Sequence, residues 1–75
     1  MVTVHRQAAW KIAVYGREHG VPHFHVEGPD FRCSVTDRNA EVIVGYAPAR
    51  VLAEARNWAE ANERELAATW RELNR

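Results

Sequence analysis

Only one cysteine, Cys33, is present, so no disulfide can form within the chain. That closes one of the usual routes by which very small domains are stapled. Cys33 falls between Phe31 and Val35, where strand alternation turns it inward as apolar filler. There is also no apolar run long enough to span a bilayer or to serve as a signal peptide, which together with the lack of cysteine pairs points to the cytoplasm. Neither sign of charge prevails: ten basic and ten acidic residues leave a formal net charge of zero. Bulk attraction to nucleic acid or to an anionic membrane is therefore not indicated. No repeat, low-complexity tract or linker divides the 75 residues, which make one domain. A chain of that size hides only about 60% of the surface it exposes when unfolded. Its core is marginal, and a metal ion or a partner chain is an expected source of further stability.

What is present organises into strands followed by helix. Trp10 to Tyr15 alternates, with Trp10, Ile12 and Val14 on one face and Lys11, Ala13 and Tyr15 on the other, and Gly16 closes the run. His23 to Glu27 repeats the pattern with Phe24 and Val26 inward, and the turn residues Gly28-Pro29-Asp30 lead into Phe31, Cys33 and Val35. Glu41 to Gly45 adds a strand, and Val2-Thr3-Val4 supplies an edge. From about Pro48 the period changes: Val51, Leu52, Ala55, Trp58, Ala59, Leu66, Trp70 and Leu73 form one helical stripe. The predicted fold is therefore α+β, a three- to five-stranded antiparallel meander with a C-terminal helix or broken helix pair on one face. A continuous helix would be about 40 Å long against strands of about 20 Å. Asn62 interrupts the stripe, and Asn62-Glu63-Arg64-Glu65 has capping-box spacing, so the break is placed there.

The segment His19-Gly20-Val21-Pro22-His23-Phe24-His25 is the most informative stretch of the chain. With Phe24 and Val26 in the core, His23 and His25 must share the opposite face. Alternation places Lys11 and Tyr15 of the preceding strand there too, with Arg32, Ser34 and Thr36 of the following one. His19 joins the pair if the loop from Gly16 to Pro22 folds back. Three readings of this polar, basic face compete. It can be a solvated sheet face that contacts a partner without catalysis. It can hold a divalent metal, zinc or iron, on His19, His23 and His25, with His5 or Glu27 as other candidates for the third ligand. Or His23 and His25 can carry protons in phosphodiester chemistry, with Arg32, Lys11 and Arg17 stabilising charge.

Glu18-His19-Gly20-Val21-Pro22-His23-Phe24-His25-Val26 resembles the signature of the family called domain of unknown function 4160, which has a proline-led His-x-His segment. The likeness extends to the aromatic-aliphatic strand before the motif and to Trp58 and Trp70 in the helical region. The resemblance implies a small bacterial protein, often the toxin half of a two-gene toxin–antitoxin module. His19, His23 and His25 are the positions matching the motif. It further implies a ribonuclease-like or translation-directed role and a small antitoxin-like partner, with a homodimer as the other form of association.

Overall fold

The five segments read as strands become the five strands of one sheet in the computed structural model, which describes residues 1–18 and 20–75. They are β1 (Val2–Arg6), β2 (Lys11–Val14), β3 (His23–Glu27), β4 (Arg32–Thr36) and β5 (Val42–Tyr46). Every neighbouring pair is antiparallel, and sheet order follows chain order. Two helices come after the sheet, α1 (Ala49–Ala61) and α2 (Glu63–Leu73), so the α+β expectation holds in its five-stranded, broken-helix form. No described helix is long and apolar enough to cross a membrane.

The core lies between one face of the sheet and the helical stripe. Ile12, Val14, Phe24, Val26, Cys33 and Val35 are at most 1% exposed and pack with Ala55, Ala59, Leu66 and Trp70. Burial of each larger side chain contributes roughly 1.5–3 kcal/mol, and this face supplies most of the stability a chain this short can have. Cys33 is the buried filler its position implied, and burial pushes its thiol pKa up.

The helices separate at Asn62, but not by the capping box. The Asn62 side chain turns back, its Nδ2 donating to the Trp58 carbonyl at 2.8 Å, and no side chain caps α2. With the amide turned back onto α1, its Oδ1, the atom a cap would use, makes no bond to the N–H groups that open α2. Pro48 stands at the start of α1, where its missing N–H is harmless, and its carbonyl accepts the first helical bond from Leu52.

Two features of the fold bear directly on the histidine face. The end of α2 ties down the loop after β2: Asn74 Nδ2 donates to the Tyr15 carbonyl at 3.1 Å, and Asn74 Oδ1 accepts from the Glu18 N–H at 2.8 Å. Glu18 is thereby held over the start of β3. The second feature is a pair of register irregularities. In β1 the shift between Thr3 and His5 sets His5 opposite Ile12 on the helix side. In β5 a shift leaves Val42 opposite Val35 on the core side and Val44 opposite Ser34 on the histidine side. β5 is an edge strand with no charged residue, and Val42, Ile43, Val44 and Tyr46 are all exposed.

Gly45 permits that edge. Its φ is +88°, and a Cβ there would collide with the Arg32 carbonyl and lie 2.9 Å from the Cys33 Cα. Gly20 has a similar φ of +89°, and a Cβ there would meet nothing within 4 Å among the described residues. Gly20→Ala should therefore lose only the backbone term, of order 1–3 kcal/mol, and Gly45→Ala distinctly more, because β4 must also move. Urea unfolding of the two variants checks this, and equal losses would contradict the steric account.

Candidate functional site

His23 and His25 occupy one face of β3, as alternation requires, but that face is not simply solvated. His23 is 9%, His25 8% and Ser34 8% exposed, because the Glu18 loop, Tyr15 and the end of α2 close around them. The two imidazole centroids are 5.3 Å apart; Trp70 reaches round the sheet end to 4.9 Å from His23, and Tyr15 meets His25 edge-on at 4.6 Å.

The carboxylate of Glu18 joins the pair. Its Oε1 lies 2.7 Å from His25 Nε2 and 3.3 Å from His23 Nε2. Each ring's other nitrogen is also engaged: His23 Nδ1 is 2.9 Å from the Val21 carbonyl, and His25 Nδ1 is 3.4 Å from Ser34 Oγ. Hydrogen-bond accounting places one proton and constrains the others. The Val21 carbonyl can only accept, so His23 Nδ1 carries hydrogen. His25 is satisfied as a neutral ring that donates from Nε2 to Glu18 and accepts from Ser34. His23 is not, because a neutral ring protonated at Nδ1 presents a lone pair from Nε2 to a carboxylate. A cation placed between the two would relieve that contact. The bond from His25 holds the Glu18 carboxyl below its ordinary pKa of 4.5, burial opposes it, and His23 adds to the lowering.

A second carboxylate organises the cations. Glu27 Oε2 accepts from Tyr15 Oη at 2.8 Å and forms an ion pair with Arg32, 3.1 Å from its Nε, while Oε1 lies 3.9 Å from Lys11 Nζ. The Arg32 guanidinium sits 5.6 Å from the Tyr15 ring centroid. The hydrogen bond to Glu27 is the main reason the Tyr15 pKa is raised. The face expected to be basic is therefore neutralised locally, by Glu27 for Lys11 and Arg32 and by Glu18 for the histidines. On the far side of the strand end, both Asp37 carboxylate oxygens are buried without a hydrogen-bond partner among the described residues. Burial pushes the Asp37 pKa up, against the pull of His23.

Glu18, His23 and His25 each offer one ligand atom, and the three atoms lie within 4.8 Å of one another. The outer groups suit a metal as well, since ligating imidazoles characteristically donate their second N–H to a carbonyl, as His23 does to Val21. Of the residues singled out in the sequence, His23 and His25 are brought together, with Tyr15 beside them. Lys11 and Arg32 gather on Glu27 instead. Arg17 is exposed at the loop bend with φ of +60°, and His19 lies outside the described residues. His5 does not reach the site: the β1 bulge turns it to the helix side, where it stacks on Trp58 at 5.1 Å. Glu27, the other proposed third ligand, is taken up by Tyr15, Arg32 and Lys11. Glu18 was missed because loop residues have no alternation to place them. Its sequence signal was only its position five residues before His23 in the same loop.

A family model described as Domain of unknown function (DUF4160) matches residues 9–71, and the chain belongs to that family. No curated protein and no solved structure matches the chain.

Because its folded pKa is depressed, Glu18 adds stability that is present above its unfolded value of 4.5 and is lost as pH falls through the lower folded value. Wild type and Glu18→Gln, unfolded by urea with chelator present, should converge in stability as pH drops below that value. A gap that widens over the same acid range would contradict the assignment.

Proposed function

Taking membership of that family as the starting point, we propose that the protein binds a divalent transition metal, zinc or iron(II), on Glu18 Oε1, His23 Nε2 and His25 Nε2. The observation that carries this reading is the convergence of those three atoms on one point, with the hydrogen-bond deficit at His23 that a cation would remove. Two imidazoles and one carboxylate form the ligand set of many hydrolytic zinc sites and of the facial triad of non-haem iron(II). Such a set leaves coordination positions open. The ion would supply Lewis acidity; His25 would then carry its hydrogen on Nδ1 and donate it to Ser34 Oγ, as His23 donates from Nδ1 to the Val21 carbonyl, while Trp70 and Tyr15 screen the rings from water. The same linkage would add stability to a marginal core.

Protein purified without an affinity tag should carry near-stoichiometric metal. After chelation it should bind cobalt(II) with a visible d–d spectrum, whereas His23→Ala with His25→Ala should bind none and Glu18→Gln should bind roughly tenfold or more weakly. Equal binding by wild type and the double variant would sink the proposal.

The second reading is a toxin acting on RNA or on translation, with His23 and His25 as proton carriers and an antitoxin-like partner or a second copy covering the protein. It is supported by the 5.3 Å spacing of the two rings and by Arg32, which borders with His25 a cavity of about 320 Å³. The exposed edge of β5 is where an added strand would pair. Expression alone in a bacterial host should then arrest growth and cleave RNA, and the double histidine variant should do neither. Unchanged arrest and cleavage by that variant would remove the histidines from the chemistry.

A further inference from the structure

The polar cluster opens into a groove of about 340 Å³ that all three proposed ligands line, and the rest of its wall is mostly apolar. Val21 from the loop and Ile43 and Val44 from β5 stand around it at 58%, 51% and 64% exposed. They come from two separate parts of the chain, and the β5 register shift is what sets Val44 opposite Ser34 on this side of the sheet. An isolated apolar side chain on a surface needs no explanation, whereas three around one buried polar cluster match the pattern of a small-molecule site: apolar walls with a few convergent polar groups. A groove of this size is at the small end of that class.

We infer that this groove binds a small ligand with an anionic, metal-coordinating head and a short aliphatic tail. The head occupies an open position on the ion held by Glu18, His23 and His25, and the tail lies against Val21, Ile43 and Val44. The inference rests on the metal reading and adds the ligand class. The chemistry of the wall argues for it. Among the described residues no cationic side chain lines the groove, so there the metal ion supplies the attraction for an anion, and nothing among them recognises a charged or strongly polar tail. A polar tail would set its hydrogen-bonding groups against three apolar side chains that offer them no partner.

Cobalt(II)-loaded protein provides the test, with straight-chain hydroxamates as probes and the d–d spectrum as readout. Hexanohydroxamate should bind on the order of tenfold or more tightly than acetohydroxamate, since each buried methylene strengthens binding severalfold. Val44→Asn, which makes the wall polar without placing a carboxylate beside the ion, should abolish that tail-dependent gain, measured as the ratio of hexanohydroxamate to acetohydroxamate affinity within the same cobalt-loaded variant. Val44→Thr, which keeps the β-branched shape, should reduce the gain and controls for any disturbance of the edge strand. Equal affinity of the two hydroxamates for wild type, with cobalt bound, overturns the inference and leaves the metal site standing. Failure to bind cobalt at all overturns the metal reading and this inference with it.

Discussion

Burial of Phe24 and Val26 against the helices is the constraint on which the rest depends. Both are fully inaccessible, and a strand has no means of turning alternate residues to the same side. Once they face the helices, His23 and His25 are committed to the other surface as neighbours. The positions paired with them, Thr36 and Ser34, share that surface, and so does Ala13 on β2. A shift of β3 by one residue would exchange histidines for core, at a cost in buried apolar area that no marginal domain of this size can bear.

What converts two adjacent histidines into a site is the C-terminal end of the chain. Asn74 binds the backbone on both sides of the bend after β2, and Leu73 packs beside Gly16, where a Cβ would stand 3.1 Å from the Leu73 carbonyl oxygen. The α2 helix, which covers the core on one face, thus reaches around the sheet end and sets the loop on the other. Trp70 does both tasks, with one side in the hydrophobic cluster and its ring against His23. Core packing and site geometry are therefore coupled through the last turn of α2, and a change in the helix is felt at Glu18.

Charge on the histidine face is arranged in two compartments. Glu18 serves the imidazoles; Glu27 gathers Tyr15, Arg32 and Lys11 two residues further along β3. The second group lies toward the solvent, and with Arg32 still largely exposed its ion pairs contribute little to stability. Its effect is to satisfy the cations locally, so that no strong positive field extends over the face. The apolar residues of β5 complete the rim and give the surface its asymmetry: charged at one end, aliphatic at the other.

The sequence by itself determined the strand order, the inward set of the meander, the helical stripe with its interruption at Asn62, and the pairing of His23 with His25. All of these come from periodicity, which is a local property and survives without knowledge of any neighbour. Tertiary structure alone decided the membership of the site. Glu18 is in a loop, where no period predicts direction, and its place comes from a bond to Asn74 at the far end of the chain. His5 was lost to the site because a bulge in β1 changes its face, and a single extra residue in one strand leaves no mark on the alternation of the other. The burial of the histidines and the neutralisation of Lys11 and Arg32 are likewise long-range results, fixed by which residues the fold brings to one place.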